Sequence, residues 1–166
     1  MKIALARVDN RLIHGQVMEA WVPYVHADCI VVANDEVAAS PLKRAMMEAC
    51  VPRSMQLFIG SLNDISDQLQ SGSIRSSRIL LLFENSRDAL QTYRHGVRFK
   101  SLNLGNMHAS QGKVAVSCTL CIDGEDVGNL KDLESSGVEI SAQCIPQDTA
   151  QSWHKLRDCW EKSRRD

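Results

Sequence analysis

A mainly parallel, open α/β sheet with helices on both faces is the architecture this sequence predicts. Short apolar runs alternate with amphipathic stretches of helical period along most of the chain, the pattern of a sheet whose crossovers are helices. A second observation sets the edge. Val114–Ile122 is extended and alternating, with no helix before it, so it suits an antiparallel edge strand or hairpin.

The elements follow in order. Lys2–Val8 reads as the first strand and Gln16–Val25 as a helix. Asp28–Ala33 is a strand of buried type, and Glu36–Cys50 is expected to be one helix. Its Val37, Leu42, Ala45, Met46 and Ala49 lie near a 3.6-residue period and form the predicted core face. Met55–Ile59 is the third strand, followed by a helix over Leu62–Gln70 that stops at Gly72. Arg78–Phe83 is the fourth strand, Arg87–Arg94 a helix ending at His95-Gly96, and Ser101–Leu104 the fifth strand. After the extended segment come a helix over Asp123–Ser135 and a late strand over Val138–Cys144. A closing helix over residues 149–164 carries Trp153, Leu156 and Trp160, spaced to pack on the sheet or on a second subunit.

The 166 residues fit a single domain spanning 1–166, with no repeat or linker. A formal net charge of −1 gives no general attraction to nucleic acid or anionic lipid. The longest apolar runs, such as Ile79–Phe83, are too short to span a bilayer. Arg7 and Asp9 interrupt the N-terminal apolar stretch before a signal peptide forms, so a cytoplasmic protein is expected. The six cysteines then read as small buried hydrophobes rather than disulfides. Cys118 and Cys121 lie in an extended segment, where positions three apart face opposite ways, and no second pair follows. No metal site and no cofactor are expected.

In open sheets of this type, ligands bind outside the carboxyl ends of the strands. The loops there carry Asp9 to Gly15, then Asn34-Asp35-Glu36, Glu84-Asn85-Ser86 and Gly105-Asn106-Met107. The first is the richest, with a carboxylate, an amide, a guanidinium and an imidazole within six residues. Those groups suit phosphoryl chemistry. A neutral imidazole at His14 is a nucleophile, and Arg11, with Arg7 as a second candidate, would pair with phosphate oxygens. Gly15 lets the backbone approach an anion, and the first amides of the next helix, Gln16 and Val17, supply donors. Asp9 orients either the imidazole or Arg11, and the residue types do not decide which. Neither a dinucleotide fingerprint nor a nucleotide P-loop is present.

The loop is also part of a longer match. Ala6-Arg7-Val8-Asp9-Asn10-Arg11-Leu12-Ile13-His14-Gly15-Gln16-Val17, with Trp21 after it, resembles the signature of the mannose/sorbose-family IIB subunits of the bacterial phosphoenolpyruvate-dependent sugar phosphotransferase system. Val31 to Ala38, Leu102 to Met107 and Gly137 to Pro146 resemble later segments of the same family, so the likeness covers about residues 1 to 150. It implies a phosphotransferase whose His14 is the phosphohistidine intermediate, carried on Nδ1. A IIA protein would donate and a sugar held by membrane IIC and IID subunits would accept. The supporting set is then Arg11, Asp9, Asn10, Gly15, Gln16 and Arg7, with Asn34, Asp35 and Asn106 in partner-facing loops. Three positions depart from the family pattern. Asn10 stands where a second aspartate is usual, Glu84 where a basic or neutral residue is common, and Gln143 where many relatives have arginine. A regulatory phosphoprotein that moves no sugar is the alternative reading. The sugar and the oligomeric state, a homodimer included, stay open.

Overall fold

The computed structural model describes residues 2–164. Seven strands form one sheet in the order β3-β2-β4-β1-β5-β8-β9, and two more form a separate hairpin, β6-β7. The strands are β1 (Lys2–Asp9), β2 (Cys29–Ala33), β3 (Gln56–Gly60), β4 (Arg78–Phe83), β5 (Ser101–Asn106), β6 (Val114–Ala115), β7 (Cys121–Ile122), β8 (Glu139–Ala142) and β9 (Gln151–Ser152). All neighbours in the main sheet are parallel except β8 and β9. The predicted edge segment is the hairpin. The antiparallel edge of the main sheet is instead β9, lying in what the sequence suggested was the start of the closing helix.

Strand alternation assigns the two faces. Cys29, Val31, Ala33, Ile79, Leu81 and Phe83 point into one core, and Ile30, Val32, Leu80 and Leu82 into the other. The first core is closed by α4 (Leu62–Ser71), α5 (Ser86–Arg94), α6 (Gly124–Ser135) and α7 (Trp153–Ser163). Trp153, Leu156 and Trp160 of α7 pack into this core of their own chain. On the other face, helical residues 15–25 contain a π-helical turn, Val17–Trp21, running into α1 (Val22–Val25). This segment places Val17, Trp21, Val22 and Val25 on the sheet.

The long helix expected over Glu36–Cys50 is two helices, α2 (Asp35–Ala39) and α3 (Pro41–Ala49). Pro41 has no N–H to continue a helix, and it drives the residue before it out of the helical region. Ser40 is accordingly extended (φ −109°, ψ 104°), and its hydroxyl caps the Lys43 amide. The break separates the predicted apolar stripe. Val37 is buried, whereas Leu42 is 72% and Met46 63% exposed, and α3 contributes no buried residue.

Adjacent strands β1 and β5 send their chains to opposite faces, β1 into the helical stretch leading to α1 and β5 through the hairpin to α6. The crevice for a ligand in a parallel sheet opens at such a divergence. No helix among the described residues is long and apolar enough to cross a membrane.

Candidate functional site

Asp9, the last residue of β1, is the centre of the site. It is fully buried, and donors from three side chains converge on it. Oδ2 accepts from Arg7 Nη2 (2.9 Å), from Arg11 Nη2 (3.3 Å) and from His14 Nε2 (3.0 Å). Oδ1 accepts from the Arg11 amide and from Arg11 Nε, both at 3.1 Å. Burial alone pushes this carboxyl upward. The hydrogen bonds from His14 and Arg11 and the charges of Arg7 and His14 outweigh it, so Asp9 is held at about 2 and is a carboxylate at neutral pH. The choice left open by the residue types is thereby answered, because Asp9 orients both the imidazole and Arg11.

The loop that brings His14 back to Asp9 is tight. The Leu12 amide bonds to the Asp9 carbonyl (2.9 Å), and Leu12 adopts a left-handed φ of 55°, costly for a branched side chain. Burial of Leu12 and Ile13 against Val17, Trp21 and Val37 holds it there. His14 is left with 16% of its side chain exposed, at the mouth of the sheet rather than inside the core. Its carbonyl accepts the Met18 amide (3.0 Å) and so joins the loop to the helix.

An ionised carboxylate only accepts hydrogen bonds, which makes His14 Nε2 the donor. In the neutral ring Nδ1 then carries the lone pair. Arg11 is 41% exposed and reaches from Asp9 to the Gln16 Oε1 (3.0 Å). Gly15 and Gln16 are exposed at the start of the helical segment, and a Cβ on Gly15 would meet nothing within 4 Å.

Arg7 stands elsewhere than the sequence suggested. Its side chain is 0% exposed and faces the Trp21 ring, 4.9 Å from the centroid. It donates to Asp9, to the Asn103 side chain, and to the carbonyls of Gln143 (3.0 Å) and Cys144 (3.2 Å). It has no face open to solvent from which to meet a phosphate; its place is under Asp9. Trp21 Nε1 donates to the same Cys144 carbonyl (2.9 Å), a link that residue type alone did not reveal.

The rim residues divide. Asn34 is buried, caps α2 through the Val37 amide, and donates to Glu84 (2.7 Å) and Asp88 (3.3 Å), so it is not a partner-facing group. Asp35 is exposed and accepts the Leu62 amide (2.9 Å). Asn106 is half-buried, and its carbonyl accepts the Asn10 amide (3.1 Å), tying the β1 and β5 loops together. Asn10, Glu84, Asn85, Met107, His108 and Lys113 line a recess of about 100 Å³. Asp88, absent from the sequence reading, is pushed up to about 6, chiefly by burial and further by Glu84 and Asp35, against the bond from Asn34. Of the six cysteines, all free, only Cys29 is buried; Cys50, Cys118 and Cys159 are exposed, contrary to the expectation from composition. Among the described residues no cluster of potential ligands suits a metal ion.

Comparison with known proteins agrees with this architecture. The family model "PTS system sorbose subfamily IIB component" matches residues 3–166. The N-acetylgalactosamine-specific phosphotransferase enzyme IIB component 2 of Escherichia coli K12 is 35% identical over 154 residues, covering 93% of this chain and 98% of the relative. The mannose-specific EIIAB component of the same organism is 30% identical over 148 residues, which are 89% of this chain and 46% of that longer protein. The crystal structure of the IIBSor domain of the sorbose permease from Klebsiella pneumoniae superposes with a TM-score of 0.89 at 28% identity, covering 95% of this chain and 98% of that one. Family match, relatives and fold together place the chain in the sorbose subfamily of IIB components, the sugar phosphotransferase-system proteins that are phosphotransferases in general.

Proposed function

We propose that His14 accepts a phosphoryl group on Nδ1 from a phosphorylated IIA protein and passes it to a sugar held by membrane IIC and IID subunits. One observation carries this reading. The Asp9 carboxylate accepts a hydrogen bond from Nε2–H at 3.0 Å and so leaves the Nδ1 lone pair available on a ring that solvent reaches.

In that reading Nδ1 attacks the donor's phosphorus, and the donor's P–N bond breaks as the new one forms. Positive charge then grows on the imidazole, and the buried carboxylate beside Nε2 is already aligned to stabilise it. Arg11 is near and exposed enough to swing one N–H onto the incoming phosphate. The first amides of the helical segment, over which Gly15 leaves open space, are further donors. On discharge the sugar hydroxyl forms the P–O bond, the P–N electron pair returns to Nδ1, and the hydroxyl proton is released. Catalysis of this kind is positional and electrostatic. Relatives of this chain are named for N-acetylgalactosamine, sorbose, mannose and fructose, and we assign the choice of sugar to the membrane subunits.

The test is direct. With phosphoenolpyruvate, enzyme I, HPr and a cognate IIA, the wild type should gain an acid-labile, base-stable phosphoryl group that maps to His14. His14→Ala should take up none, and a fully labelled variant refutes the assignment.

A further inference from the structure

We propose that Asn103 and Gly105, on β5, are positioning residues for phosphoryl transfer, acting through the Arg7 guanidinium. The proposal rests on the reading of His14 given above.

The geometry begins with strand register. Arg7 and Asn103 are partners across the parallel pair β1–β5. Leu102 and Leu104 face the core closed by α4 to α7, so Asn103 and Gly105 face the other way, toward Arg7 and Trp21. The Asn103 side-chain oxygen accepts from Arg7 Nη1 and is buried with it. Gly105 lies flat beneath the same group. A Cβ there would sit 1.9 Å from Arg7 Nη2 and 2.1 Å from Cζ, distances no real contact permits. The guanidinium cannot retreat from such a clash, because its other bonds run to Asp9 and to two main-chain carbonyls at the end of β8.

Asn103 supplies the only side-chain acceptor besides Asp9 in this set. Arg7 Nε is buried without a partner, so every hydrogen bond that orients the fork comes from its two Nη groups. One edge of the fork holds Asp9 Oδ2, the oxygen that also receives His14 Nε2. The chain of contact therefore runs from Asn103 and Gly105 through Arg7 and Asp9 to the imidazole, and a tilt at its start is passed to its end. Uncharged, buried and on a neighbouring strand, neither residue touches the reacting atoms.

The test compares Asn103→Leu, similar in size but without an acceptor, Asn103→Asp, which keeps the acceptor oxygen, and Gly105→Ala. Thermal unfolding reports the fold, carbon-13 and nitrogen-15 NMR follow the Asp9 carboxyl and the His14 ring, and kinetics measure transfer from phospho-IIA. Asn103→Leu and Gly105→Ala should lower kcat by roughly 10- to 100-fold, the scale of an ångström-sized misplacement, with KM for IIA unchanged. They should also move the Asp9 and His14 resonances, and Asn103→Asp should restore most of the rate. Wild-type transfer in Asn103→Leu would overturn the proposal. So would slow transfer with unmoved Asp9 and His14 signals, or a rise in KM alone. If Asn103→Leu does not fold, Gly105→Ala decides by the same readouts, and loss of fold in both counts against the proposal by making the pair merely structural. If the wild type itself takes no phosphoryl group, it is the reading of His14 that falls, while the NMR arm still decides whether Asn103 orders the Asp9–His14 pair.

Discussion

Replacing Asp9 by asparagine changes one atom and removes the charge on which three cationic or proton-donating side chains converge. Asp9 is held at about 2 against an ordinary 3.8, which corresponds to about 2 kcal/mol of stability at neutral pH. The substitution costs more than that, because it leaves the fully buried Arg7 without an anion, a loss of roughly 3–5 kcal/mol in comparable buried pairs. Arg7 keeps three neutral acceptors, from Asn103, Gln143 and Cys144, which favours the lower end, about 3 kcal/mol. The folded-state carboxyl lies below its unfolded value. Its contribution is therefore complete above about pH 4 and is lost as the pH falls toward 2. Urea unfolding of wild type and Asp9→Asn should show a gap of about 3 kcal/mol at pH 7 that narrows below pH 4. An amide turned with its N–H₂ toward His14 presents a donor where the imidazole needs an acceptor. The ring proton then moves to Nδ1, and phosphorylation should fall by roughly 10²- to 10⁴-fold, as when a catalytic histidine is held in the wrong tautomer. A gap below about 1 kcal/mol, a gap independent of pH, or unimpaired phosphorylation would refute the reasoning.

Other substitutions separate the parts of the site. Arg11→Lys keeps the charge but loses the fork that spans Asp9 and Gln16, and transfer from phospho-IIA should slow by on the order of tenfold while unfolding barely changes. Asp88, raised to about 6, binds its proton more tightly folded than unfolded, so stability falls as the pH rises from about 4 to 6. In Asp88→Asn that slope should flatten, by about 2 kcal/mol at most across the window, in denaturation curves at stepped pH. Leu42→Gln and Met46→Gln lie on the exposed side of α3, and calorimetry should find each within about 0.5 kcal/mol of wild type despite the loss of an apolar side chain.

The elements legible in the sequence were those whose cause is local. A run such as Ile79–Phe83 is a buried strand because its continuous apolar character suits both faces of a covered sheet, and Gly72 ends α4 because it alone there takes φ 71° without strain. The break at Ser40-Pro41 was equally local, and the proline could have signalled it. The apolar period that ran through it pointed to one core face, but the turn at Ser40 carries Leu42 and Met46 away from the side that Val37 buries. Arg7 was different in kind. Its guanidinium suggested a phosphate contact, yet strand alternation points it away from Ala6 and Val8, against residues 96 to 137 positions later in the chain. Nothing near Arg7 in the sequence states that Asn103, Gln143 and Cys144 close over it. Asp88 was missed for the same reason, since Asn34 and Asp35 reach it and Glu84 only through the order of β2 and β4 in the sheet.

The division between the two arginines also bears on how such a site would release what it binds. With the imidazole neutral, Arg7, Arg11 and Asp9 leave one net positive charge beside His14. A phosphoryl group puts two negative charges on its oxygens against the positive charge it raises on the ring, so the loaded site would be about neutral overall and would not hold its cargo too tightly to pass on. Were both guanidiniums free to turn onto the phosphate, each charge-assisted bond would deepen the bound state and oppose the next transfer. Burial denies that to Arg7, whose Nη groups are committed to Asp9, Asn103 and the carbonyls of Gln143 and Cys144, and leaves Arg11 as the exposed cation. One fixed arginine orders the carboxylate that sets the tautomer, and one exposed arginine would meet the charge. A carrier that must both accept and surrender a phosphoryl group needs the two roles kept apart, since a single guanidinium turning to the phosphate would release the very carboxylate that keeps Nδ1 unprotonated.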